Sequence, residues 1–141
     1  MTKRILMVIA PEQFRDEELL VPRRLFDSEG WQVDTVSTRA GVATGMLGAK
    51  EEVLRTLDEI DPASYDAITV VGGMGSPEHL WNNTRLHRIV QEAEAQGKVV
   101  SAICLSSAVL AKAGLLDGKQ ATVWNDPTAV QALKDGGATY T

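Results

Sequence analysis

Three short apolar runs constrain the fold most strongly. Ile5 to Ala10, Ala67 to Val71 and Val99 to Ile103 hold no charged residue. Runs of this length belong to strands covered on both faces. Helix-period segments follow them. In the first, from about Glu17 to Glu29, Leu19, Leu20, Leu25 and Phe26 supply the buried side and Gly30 stops the helix. Pro22 lies inside it and predicts a kink, or a split near Leu20. In the second, Asn82 to Gln96, Leu86, Ile89, Val90 and Ala93 share a face, with Asn83 or Thr84 as cap and Gly97 as stop. A third helix begins after Cys104, and a last one spans Asp126 to Lys134, with Asp126 as N-cap and Pro127 at its first position. Such alternation predicts an α/β fold with a mainly parallel sheet covered on both faces. Trp31 to Ser37 adds a strand, Pro11 to Asp16 reads as a polar loop, and Val42 to Leu47 with Glu52 to Leu57 reads as a hairpin. Gly114 to Trp124 reads as a turn and a short strand, and Ala138 to Thr141 begins another.

The 141 residues fit a single domain spanning 1–141. A net charge of -5 argues against a nucleic-acid partner. No apolar run approaches the roughly 20 residues of a membrane span, so no membrane partner is expected. Met1 to Ala10 lacks a cleavage site and has charges close behind it, so it reads as a strand rather than a signal peptide. The single cysteine permits no internal disulfide, which fits a reducing cytoplasm.

In parallel α/β sheets, ligands gather at the carboxyl ends of the strands. Three strand ends deliver chemistry there: Glu17 and Glu18 after the first, Gly72 and Gly73 after the Ala67 strand, and Cys104 after the Val99 strand. Cys104 sits where a strand turns abruptly into a helix, the nucleophile-elbow geometry. A helix N-terminus aimed at it favours thiolate over thiol. The glycines match neither a Walker loop nor a full dinucleotide-binding fingerprint. Two separated histidines and one cysteine make a poor metal set, so neither a metal nor an organic cofactor is expected.

Phe14-Arg-Asp-Glu-Glu-Leu19, Val71-Gly-Gly-Met-Gly-Ser-Pro-Glu78, Ala102-Ile-Cys-Leu-Ser-Ser107 and Leu110-Ala-Lys-Ala-Gly-Leu-Leu-Asp-Gly-Lys119 stand in order along the chain. Together they resemble the DJ-1/PfpI superfamily over essentially the whole length. The resemblance implies a flavodoxin-like three-layer sandwich and a homodimer or higher homo-oligomer. It also implies a nucleophilic or redox-active cysteine at Cys104, with Glu18 hydrogen-bonded to it. Amides of the glycine turn, Gly72 or Gly73, would hold an oxyanion together with that of Leu105. A buried carboxyl with a raised pKa can donate a hydrogen bond to a thiolate, and preorganised amides can hold charge on a carbonyl oxygen.

Two departures qualify the match. Many relatives carry a histidine directly after the cysteine, where this chain has Leu105. His79, beyond the glycine turn, is the candidate substitute base, while His87 falls on the polar side of its helix. Relatives also continue with a strand, a turn and a long final helix, which here would follow Thr141 and whose lack would leave a sheet face partly bare. Ser106 and Trp124 are candidate pocket residues. The expected function is a cysteine-dependent enzyme acting on small reactive carbonyls, glyoxalase- or deglycase-like, with a small-molecule electrophile as partner and Glu18 as proton shuttle. A noncatalytic oxidative-stress sensor and a hydrolase or peptidase are the alternatives.

Overall fold

A computed structural model describes residues 2–141. The strands are β1 Arg4–Val8, β2 Glu12–Phe14, β3 Gln32–Val36, β4 Gly41–Gly45, β5 Lys50–Val53, β6 Ala67–Val70, β7 Val99–Ala102, β8 Gln120–Ala121 and β9 Thr139–Tyr140. The α-helices are α1 Asp16–Ser28, α2 Ser76–His79, α3 Thr84–Ala95, α4 Ser107–Lys112 and α5 Pro127–Asp135. The central sheet is parallel, in the order β3-β1-β6-β7. A smaller sheet, β2-β4-β5, contains the antiparallel β4–β5 hairpin, and β8 pairs with β9.

Alternation along β1 and β6 divides the core between the two faces of the sheet. Leu6, Val8, Ile68 and Val70 pack with Leu86, Ile89, Val90 and Ala93 of α3 and with buried residues of α4 and α5. Ile5, Met7, Ile9 and Val71 pack on the other side with Phe14, Leu19, Ala43 and Val53. The apolar face holds α3 in place more than its cap does. The Asn83 side chain accepts the Leu86 N–H at 2.9 Å, worth about 1 kcal/mol. Full burial of Leu86 and Ile89 is worth roughly 2 kcal/mol each.

Four expectations change. The segment expected as a polar loop contains β2, which pairs with β4. Pro22 does not split α1, which is continuous. Of the apolar residues expected on its buried side, Leu19 is fully buried but Leu20 is 37% and Leu25 62% exposed. The Val99 strand is only partly covered: no residue of β7 is fully buried and Val99 is 65% exposed, and among the described residues β6 is its one neighbouring strand.

Asp16 fastens the start of α1 to the β4–β5 turn. Its buried carboxylate accepts the Leu47 and Ala49 N–H groups at 2.9 and 2.8 Å. It fills the space a side chain at Gly45 would need, 2.5 Å from the position of an added Cβ. Burial alone would raise the Asp16 pKa, but these amides outweigh it and hold the group below the ordinary carboxylate value. A depressed folded-state pKa contributes stability above the unfolded value of about 3.9 and loses it as pH falls through the folded value. Asp16→Asn should therefore be about 2 kcal/mol less stable than wild type at pH 7. In urea melts, that gap should narrow as the pH is lowered past the unfolded-state value.

Candidate active site

Cys104 follows β7 at a sharp reversal of the chain. Ile103 is still extended and donates its N–H to the Val70 carbonyl at 3.1 Å, whereas Cys104 has φ +59°. A left-handed conformation at a residue with a side chain costs of order 1–3 kcal/mol and persists only where its surroundings over-determine it. Here the Trp124 N–H reaches the Cys104 carbonyl at 3.3 Å and the Ser106 N–H reaches the Ile103 carbonyl at 3.0 Å. The buried Ser106 hydroxyl is 2.7 Å from the Val71 carbonyl, and the Trp81 indole N–H donates to the Leu105 carbonyl at 2.8 Å. The element after Cys104 is a 3-10 turn, Cys104–Ser106, running into the six-residue α4.

Glu18, in the first turn of α1, reaches Cys104 past the glycine turn. Its Oε1 accepts the Gly72 N–H at 2.9 Å, which holds the carboxylate beside Cys104: Oε1 and Cys104 Cβ crowd the same side of Gly72. Gly72 has no room for a side chain. An added Cβ would stand 2.6 Å from the Ile103 carbonyl oxygen and 2.7 Å from both Cys104 Cβ and Glu18 Oε1. Gly73 has φ +112° and would collide with the Arg15 nitrogen and the Gln13 carbonyl, both at 2.5 Å.

These residues line a cavity of about 460 Å³. Cys104, Glu18 and Gly73 share it with Arg15, Glu17, Met46, Met74, Ile103, Leu105 and Trp124. Burial raises the Glu18 carboxyl above its ordinary value, against the pull of the Gly72 amide, the thiol and the Arg15 guanidinium. Burial also pushes the Cys104 thiol up, and the negative charge of Glu18 adds to the rise, while the Leu105 and Gly73 amides oppose it. The expected thiolate preference is therefore reversed. A short 3-10 turn with two amides at the sulfur does not outweigh burial beside a carboxylate.

The structure brings Cys104, Glu18, Gly73, Leu105 and Trp124 to one cavity. Gly72 differs in use, since its amide is taken by Glu18 and is not free for an oxyanion. Ser106 does not reach the cavity, because its side chain is buried between Ser76 and the Val71 carbonyl. His79 turns to Glu12, with Nε2 at 3.0 Å from Oε1, and is absent from the cavity wall. His87 bonds to the Trp81 carbonyl at 2.7 Å. Ligand atoms of His79, Glu12 and Glu78 lie within 4.8 Å of one another, a grouping missed by weighing histidine and cysteine alone; both carboxylates are exposed. Arg15, Met46, Met74 and Ile103 were not anticipated as wall residues. Arg15 lay within the acidic segment that carries Glu18, whereas Met46 reaches the wall through β4, whose pairing with β2 no local pattern announced. Among the described residues, no helix is long and apolar enough to cross a membrane.

The chain is similar to known proteins in sequence and in fold. An uncharacterised protein of Methanocaldococcus jannaschii is 54% identical over 97% of this chain and 67% of its own length. The protein named deglycase PfpI of Pyrococcus furiosus is 32% identical over 83% of this chain and 70% of its own. The crystal structure of a ThiJ/PfpI domain protein from Brachyspira murdochii superposes with a TM-score of 0.91 at 27% identity, covering 99% of this chain and 79% of that one. The family model for the DJ-1/PfpI family matches residues 3–141, and the chain belongs to that family.

Proposed function

We propose that this chain is a cysteine-dependent enzyme acting on small reactive carbonyl compounds, in deglycase- or glyoxalase-like chemistry. The observation that carries the reading is the Cys104–Glu18 pair in the cavity, whose wall also includes Gly73 and Leu105. The name deglycase borne by the Pyrococcus furiosus relative supports the same class.

The raised carboxyl makes Glu18 a better base than an ordinary glutamate, and the raised thiol calls for one. As sulfur bonds to the carbonyl carbon, Glu18 takes the thiol proton and passes it to the carbonyl oxygen, giving a hemithioacetal. The Gly73 and Leu105 amides hold the oxygen while it carries charge. With a 2-oxoaldehyde, Glu18 then removes the proton from C1. Reprotonation at C2 gives a thioester, and water cleaves it to a 2-hydroxy acid and the free thiol. The pairing of His79 with Glu12 weighs against a Cys-His peptidase. The upward shift of the thiol weighs against a ready oxidation sensor, since oxidation follows thiolate character.

Methylglyoxal consumption and lactate formation test the proposal. Cys104→Ser should abolish turnover while the protein stays folded, and full activity in that variant would reject the mechanism. Glu18→Gln should lower kcat by about 10²–10⁴-fold. Because the base form of Glu18 is the working form and its pKa is raised, kcat/KM should climb with pH. The acid limb should lie above the ordinary glutamate value of about 4.3, and a limb at or below it would contradict the role.

A further inference from the structure

One cation stands in the cavity wall. Arg15 immediately precedes α1, and its backbone N–H donates to the Gly72 carbonyl at 3.0 Å, which fixes the residue beside the glycine turn. Its side chain is partly exposed, and its Nε pairs with the Glu17 carboxylate. Nη1 and Nη2 hydrogen-bond to none of the described residues. The guanidinium is thus braced through Nε, and the rest of its five N–H donors have no partner among the described residues, on a residue that lines the cavity.

The remaining wall gives an anion no other cation. Met46, Met74, Ile103, Leu105 and Trp124 are apolar, Glu17 and Glu18 are acidic, the Gly72 amide is occupied, and the Gly73 and Leu105 amides face the sulfur. A guanidinium fork matches a planar carboxylate through two parallel hydrogen bonds, which an ammonium does not reproduce.

We propose that Arg15 is an anion subsite that receives the carboxylate of a carbonyl substrate while Cys104 meets its carbonyl carbon. The inference rests on the reading of Cys104 as a nucleophile in this cavity. It adds to the neutral carbonyls a class that bears a carboxylate, glyoxylate being the smallest aldehyde of that kind. Glu17 acts as a positioning residue that holds the fork and competes with the incoming anion.

Two alkylating agents of nearly equal shape test the subsite without turnover. Iodoacetate and iodoacetamide both place a CH2–I group before the thiol and lose iodide as the C–S bond forms, but only the first carries a carboxylate. The readout is the ratio of their second-order rate constants at Cys104, followed by intact mass. In wild type the iodoacetate-to-iodoacetamide ratio should exceed that of the uncharged thiol N-acetylcysteine amide by about tenfold at low salt. Arg15→Gln should remove the excess, Arg15→Lys should restore part of it, and added salt should reduce it. Glu17→Gln should raise the ratio by releasing the guanidinium. A ratio equal in wild type and in folded Arg15→Gln, or a Cys104 that neither reagent labels, would overturn the subsite. Methylglyoxal, a neutral carbonyl, reports separately on the reaction. Turnover with an unmoved ratio overturns only the subsite, and an Arg15-dependent ratio without turnover overturns only the reaction.

Discussion

The absence of a side chain at Gly72 governs the carboxyl edge of this sheet. Three groups crowd the place where its Cβ would be: the Ile103 carbonyl, Cys104 Cβ and Glu18 Oε1. Glycine lets the end of β6 pass between β7 and α1 closely enough for its N–H to hold the Glu18 carboxylate against the thiol. A methyl group there would separate the two titrating groups that give the site its electrostatics. The next residue extends the same logic, since the positive φ of Gly73 lets the turn run under β2 while its amide faces the sulfur.

The cost of this arrangement falls on Cys104, whose φ of +59° is unfavourable for a residue with a side chain. The hydrogen bonds that hold it come from separate elements: β6 through Val70, the end of β6 through Val71, Trp81 after α2, and Trp124 before α5. Ser106 serves this purpose rather than ligand contact. Its hydroxyl is fully buried in a chain of bonds that reaches Ser76 at 2.7 Å. The elbow is thus held jointly by the end of β6 and by the segments after α2 and before α5, while Glu18 arrives from α1 on the other side of the sheet.

Much of this was legible in the residues. The apolar runs became β1, β6 and β7, and the caps Asn83 and Asp126 accept the N–H groups of Leu86 and Ala129 as their side-chain chemistry foretold. The convergence of Cys104, Glu18 and the glycine turn followed from the parallel topology. What stayed hidden depended on distant contacts. β2 is three residues long, two of them polar, and exists because β4 pairs with it. Pro22 removes one amide from α1, yet burial of Leu19 and the anchor at Asp16 hold the helix through it. The direction of the thiol's pKa was hidden too. A helix start after a cysteine suggests a thiolate, but burial beside Glu18 is a tertiary fact, and it outweighs two amides.

The pairing of Cys104 with Glu18 is tested most directly by the pH dependence of Cys104 alkylation by iodoacetamide, read by intact mass in wild type and in Glu18→Gln. Burial and the neighbouring carboxylate place the wild-type midpoint above the free-thiol value of about 8.5. Removing the carboxylate charge should bring the midpoint down. A midpoint that is unchanged or higher in Glu18→Gln, or a wild-type midpoint well below the free-thiol value, would contradict a resting thiol beside the Glu18 carboxylate.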